Sequence, residues 1–420
     1  MSGRRLHGIS TGTLVASLVV LFGCTGMAGR PDDQATLPKQ LQARQVIVTL
    51  AEATPQQWES TTRALSARYQ LPEAGNFPLN SIRVQCAVFQ VPPQRPVQDV
   101  IEQLRTDPRV ESVEPNQVFE GAQTQRVDPY AAFEYGSAAI RADAAHRIST
   151  GKGVRITVVD TGVDIDHPAL RGRIVKTANF VDGGESSFTS DRHGTAVAGV
   201  IGARTTDAVS ILGIAPDAEI VAAKACWYAD KRTAKALCSS WTLAKAIDFA
   251  IGAGTQVLNL SLSGPADALL GRLLIAADAR GITVVAAAAE GASDAGFPAV
   301  LGPVLAVIAS DTKGQVQLPE WLDRKRAIAA PGVDILTTTP RGSYDFLSGS
   351  SLAAAHVTGV VALLLEQKPT LRPSEIRDLL QLTVHPVLTT SGALAPTALG
   401  LVDACAALGK LLVGSACPIQ

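Results

Sequence analysis

An acid, a base and a hydroxyl occur far apart in this chain, each beside glycine or another small residue. The acid lies in Val158-Val159-Asp160-Thr161-Gly162. The base opens His193-Gly194-Thr195-Ala196-Val197-Ala198-Gly199. The hydroxyl lies in Gly349-Ser350-Ser351-Leu352-Ala353-Ala354-Ala355-His356. A serine hydroxyl attacks a carbonyl poorly until an imidazole takes its proton, and the imidazole needs a carboxylate to fix its tautomer and orientation. Asp160, His193 and Ser351 supply one of each, in the order acid, base, nucleophile. Asp164 and Asp166 are rival acids, but only Asp160 ends an apolar strand-like run directly before Thr-Gly. Taken singly, His193 reads as a cap or surface residue and Ser351 as a helix N-cap. His167 and His356 have structural or capping roles by default.

Three such phrases in this order resemble the subtilisin (subtilase) family of serine peptidases. The resemblance runs from about Tyr130 to Asp403 and includes Gly213-Ile214-Ala215-Pro216, Phe297-Pro298-Ala299 and Ala330-Pro331-Gly332. It implies an endopeptidase that hydrolyses peptide bonds through an acyl-enzyme. Asp160 would orient the base, His193 would act as base and acid, and Ser351 would attack. A polypeptide is then the substrate. The resemblance makes calcium possible on surface loops, but no compact oxygen-ligand motif stands out, so no cofactor is expected and no metal ligands are assigned.

The elements that must position these groups are legible as periodicities. Val154 to Val159 reads as a buried strand ending at Asp160, with further strand-length runs at Glu219–Ala225, Val257–Leu262 and Thr283–Ala287. Helical stretches such as Trp241–Ile251 and Leu269–Ala279 lie between them. This alternation predicts an α/β fold, a mostly parallel sheet covered by helices on both faces, with ligands at the carboxyl ends of the strands. A long apolar helix is expected over Ser351–Glu366, and its free N-terminal N–H groups would make Ser351 N–H the first oxyanion donor. Aromatic content of only 5% suits helices packed closely on such a sheet.

Ahead of this block, residues 44–120 carry a β-α-β-α-β pattern with one strand uncertain: Gln45–Leu50, Trp58/Thr62/Leu65/Tyr69, Ile82–Val91, Val97/Val100/Ile101/Leu104 and Val110–Phe119. The pattern fits a small ferredoxin-like α+β domain and resembles the inhibitory propeptide of subtilases, which makes the chain's own propeptide a partner. The stretch Phe119–Val127 is polar enough to hold a self-cleavage site. The expected organisation is residues 1–23 signal peptide, 24–43 linker, 44–120 propeptide domain, 121–129 processing linker and 130–420 catalytic domain.

At the N-terminus, Arg4 and Arg5 precede a Leu14–Phe22 apolar run too short to span a membrane. It ends in Leu21-Phe22-Gly23-Cys24, which resembles a bacterial lipoprotein box with Cys24 as the lipidated residue. The chain is therefore expected to be exported and membrane-anchored in the cell envelope, or secreted if cleavage falls near Met27-Ala28-Gly29. Export makes Cys226–Cys238 and Cys405–Cys417 local disulfides and leaves Cys86 as a buried apolar residue. A formal net charge of −1 over 420 residues gives no electrostatic reason to expect nucleic acid.

Substrate would add as a strand along Leu260, Ser261, Leu262, Ser263 and Gly264 and along Ala286 to Ala289, including Ala287, Ala288 and Ala289. Ser263, where the family usually has glycine, and the methyl of Ala289 narrow the cleft toward small or medium apolar side chains. The basic insert Trp227–Leu237 forms one rim. The chief departure is Ala289-Glu290, where active subtilases have Gly-Asn and the asparagine donates the second oxyanion hydrogen bond. An ionised Glu290 would repel the developing charge, whereas a protonated one would donate. The site would then work best at acidic pH or stay weak, unless the loop turns Glu290 to solvent. That departure favours a rival reading, a self-processing or inactive subtilase-fold binding or scaffold protein. A third, an esterase or acyl transferase, lacks the Gly-x-Ser-x-Gly elbow.

Overall fold

A computed structural model describes residues 44–50, 54–121, 135–181, 183, 185–205, 211–229, 236–288, 296–323, 326–395 and 399–412. The export segment with Cys24, most of the 121–129 processing linker, Ala289, Glu290, Cys417 and the middle of the basic insert lie outside them. All described residues belong to one compact unit, 37–420.

The first domain runs β1 (Gln45–Leu50), α1 (Pro55–Tyr69), β2 (Glu73–Leu79), β3 (Val84–Gln90), α2 (Val97–Arg105) and β4 (Ser112–Pro115). Its antiparallel sheet has the order β2-β3-β1-β4, the ferredoxin-like arrangement. The strand that periodicity leaves uncertain is β2, whose EAGNFPL sequence carries Gly75 and Pro78 and little β-branching. Thr54 and Gln57 form a capping box at the start of α1, with Pro55 in its first turn, a cap worth about 1 kcal/mol. Val46, Val48 and Leu50 face α1 and α2. Ile47, Val84, Cys86 and Val88 face the other way, into the core beneath the second block.

A short strand β5 (Val118–Gly121) follows, and the second block continues with α3 (Tyr135–Ala139), α4 (Ala142–Ala145), β6 (Arg155–Asp160), β7 (Ile174–Asn179), α5 (Arg192–Gly202), β8 (Glu219–Lys224), β9 (Cys226–Tyr228), β10 (Ala236–Ser239), α6 (Ser240–Gly252), β11 (Val257–Leu260), β12 (Leu262–Ser263), α7 (Ala268–Ala279), β13 (Thr283–Ala287), β14 (Leu305–Ser310), β15 (Gln315–Val316), β16 (Ala327–Pro331), the hairpin β17 (Ile335–Thr339) and β18 (Ser343–Leu347), and α8 (Ser350–Gln367). It ends with α9 (Pro373–Gln381), β19 (His385–Pro386), β20 (Leu388–Thr389), β21 (Gly400–Leu401) and α10 (Ala404–Leu411). The main sheet has the order β19-β21-β16-β14-β13-β11-β6-β8-β7 and is parallel from β21 to β7.

Strand alternation sends Val158 and Val285 toward α5 and α8 on one face. Val159, Val284 and Ala286 go toward α6 and α7 on the other, so both faces are covered as predicted. Apolar α8 is buried along most of its length and is the core helix of the first face. The small sheet of the first domain rests on α6 and α7, where Phe77 meets Trp241 edge-on at 6.4 Å between ring centroids.

Candidate active site

Three helix or strand ends bring the distant phrases together. β6 ends at Asp160, α5 begins one residue before His193, and Ser351 is the second residue of α8. His193 Nδ1 stands 2.7 and 2.9 Å from the two carboxylate oxygens of Asp160, and its Nε2 stands 3.0 Å from Ser351 Oγ. The three residues are 4%, 3% and 1% exposed, so little water competes for these bonds. Burial by itself would lower the imidazole pKa. The charge of Asp160 and its hydrogen bond outweigh that and hold His193 above the ordinary histidine value. Such an array can take a proton from a hydroxyl and return it to a leaving group.

Close backbone approach explains the glycines. A Cβ on Gly162 would sit 2.5 Å from Phe188 O, and one on Gly194 would sit 2.3 Å from Gly162 O. The acid's turn and the base's helix therefore touch through backbone, which fixes the Asp160–His193 spacing.

The cleft beside Ser351 holds β5. It pairs antiparallel with β12 on one side, Leu262 opposite Gly121 and Ser263 opposite Glu120. On the other side it pairs with β10, with Leu237, Cys238 and Ser239 opposite Glu120, Phe119 and Val118. A strand from the N-terminal segment is thus laid in a slot between two edges of the second block. Ser261 turns its carbonyl to within 3.2 Å of Ser351 Oγ, and its own hydroxyl donates to Ser351 O at 3.0 Å. Leu260 ends β11, Leu262 and Ser263 form β12, and Gly264 bonds Phe297 through backbone. Ala287 and Ala288 are buried at the end of β13. Here β10, rather than Ala287 or Ala288, borders β5 on the side away from β12.

Sequence reasoning missed several groups that hold this arrangement. Asn259 donates to Ser261 Oγ and accepts from Thr358 Oγ1 on α8, both at 2.9 Å, tying the slot to the nucleophile's helix. Lys224, fully buried at the end of β8 and opposite Asp160 in the ladder, donates to Thr161 O, Asp191 and Cys226 O. Tyr228 accepts the backbone N–H of His193 at 2.8 Å. An ionisable residue ending the apolar run Ile220–Lys224 was the one available signal.

The rival acids do not bond His193: Asp164 accepts the Arg341 and Asp166 N–H groups, and Asp166 is exposed. His167 bonds Ser343 O, and His356 bonds Leu352 O, with burial pushing its pKa down to about 4. Cys226 and Cys238 form a disulfide. Cys405 is disulfide-bonded as well, and Cys86 is a free, buried thiol. Among the described residues no three His, Cys, Asp or Glu side chains converge as metal ligands.

Residues 151–400, more than half of the chain, match the model of the Subtilase family. A thermophilic serine proteinase of Bacillus sp. (strain AK1) is 36% identical over 278 residues, 64% of this chain and 67% of that relative. Subtilisin BL of Lederbergia lenta is 36% identical over 276 residues, 65% of this chain and 97% of that relative. Fervidolysin from Fervidobacterium pennivorans, described as a keratinolytic enzyme related to subtilisin, superposes with a TM-score of 0.65 at 24% identity; the alignment covers 90% of this chain and 62% of that one, which bears on fold alone. Carrying that family match together with a carboxylate, an imidazole and a serine hydroxyl in hydrogen-bonding sequence, the chain belongs to the subtilase family of serine endopeptidases.

Proposed function

We propose that the chain is an exported endopeptidase made as a self-processed precursor, with Asp160, His193 and Ser351 as its triad. The observation that carries this is the unbroken line from Asp160 through both nitrogens of His193 to Ser351 Oγ. As His193 Nε2 takes its proton, Ser351 Oγ bonds to the scissile carbonyl carbon. The negative charge formed on the carbonyl oxygen faces the Ser351 N–H at the start of α8. His193 then gives the proton to the departing amine, leaving an acyl-enzyme. Water, deprotonated by the same imidazole, releases the acid and restores Ser351. Asp160 remains ionised throughout. Glu290 stands in sequence where the family's second oxyanion donor stands, and in this reading it donates only when protonated.

Residues 44–120 act as the inhibitory propeptide, and β5 is its tail lying in the cleft as an added strand. The β5–β12 register runs toward Ser261, whose carbonyl lies against Ser351 Oγ, and Ala122 follows β5 directly in sequence. The first cut is therefore proposed after Ala122. The Leu21–Cys24 box supports export and a lipid anchor on Cys24, with polypeptides outside the cytoplasm as substrates.

The test is the mass of the full chain expressed as wild type and as Ser351→Ala, followed by turnover of a peptide library. Expected are a wild-type product beginning at Gln123, an uncut Ser351→Ala chain, and hydrolysis by the wild type alone. A wild type left as uncut as the Ser351→Ala chain would refute self-processing. Absence of Ser351-dependent hydrolysis after the propeptide is removed would leave the scaffold reading in its place.

A further inference from the structure

We propose that Tyr228 is a positioning residue for His193, and that the disulfide-tied ribbon β9–β10 sets the place of the base through it. The inference rests on the assignment of His193 as the base.

The first N–H groups of a helix have no partner within it, and a side chain at the N-cap normally accepts one of them. Asp191 holds the N-cap of α5 but makes no capping bond. Its carboxylate is turned to buried Lys224 instead. The two N–H groups that matter most for the base are capped from elsewhere. His193 N–H donates to the Tyr228 hydroxyl at 2.8 Å, and Gly194 N–H donates to Thr161 Oγ1 at 3.2 Å. Thr161 also hydrogen-bonds Tyr228. The helix carrying the base is thus fixed by the residue after Asp160 and by a phenol on a separate strand.

That strand is the near side of the ribbon. Tyr228 pairs with Ala236, Trp227 with Leu237, and Cys226 with Cys238, to which it is also bridged. Leu237, Cys238 and Ser239 are the residues that face the strand in the cleft. Lys224 adds an anchor at the ribbon's root by donating to Cys226 O. One edge of the ribbon therefore meets the chain in the slot, and the other meets the backbone of the base. A small displacement of the imidazole is costly to catalysis, because proton transfer needs His193 Nε2 held in line with Ser351 Oγ, whereas the strand in the slot is held by backbone pairing to β10 and β12.

The experiment uses the full-length, processed protein, counting competent sites with a serine-directed fluorophosphonate so that kcat refers to folded enzyme only. Tyr228→Phe is expected to lower kcat on the order of 10-fold to 100-fold, with KM changed by less than about twofold. Removing the disulfide (Cys226→Ser with Cys238→Ser) should lower kcat in the Tyr228 background and add nothing in the Tyr228→Phe background. Unchanged kcat in Tyr228→Phe, or losses that multiply when the changes are combined, would overturn the proposal. A second readout does not depend on turnover. In the Ser351→Ala chain, Tyr228→Phe should move the proton resonance of His193 Nδ1–H, and an unmoved resonance would also overturn it. Failure of the peptidase reading would show separately, as a wild type that neither reacts with the fluorophosphonate nor turns over.

Discussion

The carboxylate of Asp160 spans His193 Nδ1 with both oxygens, at 2.7 and 2.9 Å. This contact outweighs the desolvation that would lower the imidazole pKa and holds it above the ordinary 6.5. A protonated imidazole cannot accept the Ser351 proton, so kcat/KM should rise with pH through a value above 6.5. Asp160→Asn removes both raising influences. The limb should then fall below that value and turnover should drop on the order of 10⁴-fold. A pH profile of kcat/KM for the two chains checks this, and a wild-type acid limb at or below 6.5 contradicts it.

Glu290→Asn should restore a donor that is independent of pH. Loss of one such donor in subtilisin costs about 10²–10³ in turnover, so the variant should gain by up to about that factor at neutral pH and less under acid. Equal rates at every pH would show that Glu290 does not face the oxyanion.

At the start of α7, Glu114 of the first domain accepts Ala268 N–H at 3.0 Å beside the helix's own cap, Asp267. Burial foremost, with the Glu114 charge adding to it, pushes the Asp267 carboxyl up to about 6 from an ordinary 3.8. The part of that rise that comes from the Glu114 charge exists only when the first domain is in place, so Asp267 takes up a proton as the domains meet. Docking should therefore be strongest below about pH 4 and weaken as pH rises through 6. Glu114→Gln keeps an acceptor and removes the like charge, so the pH dependence should flatten. Inhibition of the processed enzyme by its propeptide, measured across that window, decides it.

Glu366, on the last turn of α8, accepts from Ser149 Oγ and from the N–H groups of Thr150, Gly151 and Lys152 with one oxygen, at 2.6 to 3.0 Å. Glu366→Ala strands these donors and should lower stability by about 3 kcal/mol. Glu366→Gln, which keeps the acceptor, should lose less. Denaturant titration of both in the Ser351→Ala chain, where self-digestion is absent, gives the comparison.

Much of this was readable in the residues because β6, α5 and α8 announce themselves. Val154–Val159 is a β-branched run broken only by Arg155, and glycine marks the close approach at Gly162 and Gly194. What was not readable depends on pairing across the chain. The ALCS of β10 has no strand signature of its own, and the run expected as one strand over Val110–Phe119 divides into β4 and β5, the latter paired with β10. Tyr228 was hidden in a basic insert, and its role comes from an acceptor position that exists only once α5 has lost its own cap to Lys224. In β2, Gly75 and Pro78 silence the local preference, and the pairing with β3 supplies it.

The slot between β10 and β12 is one strand wide and open to hydrogen bonding on both sides. Once β5 departs, as the proposed processing requires, two unpaired edges face each other across that gap. Strands of a folded protein already have neighbours and cannot enter without first being pulled from their own sheets. Loops, tails and denatured chains can. The slot, once vacated, would thus select for conformation before it selects for sequence.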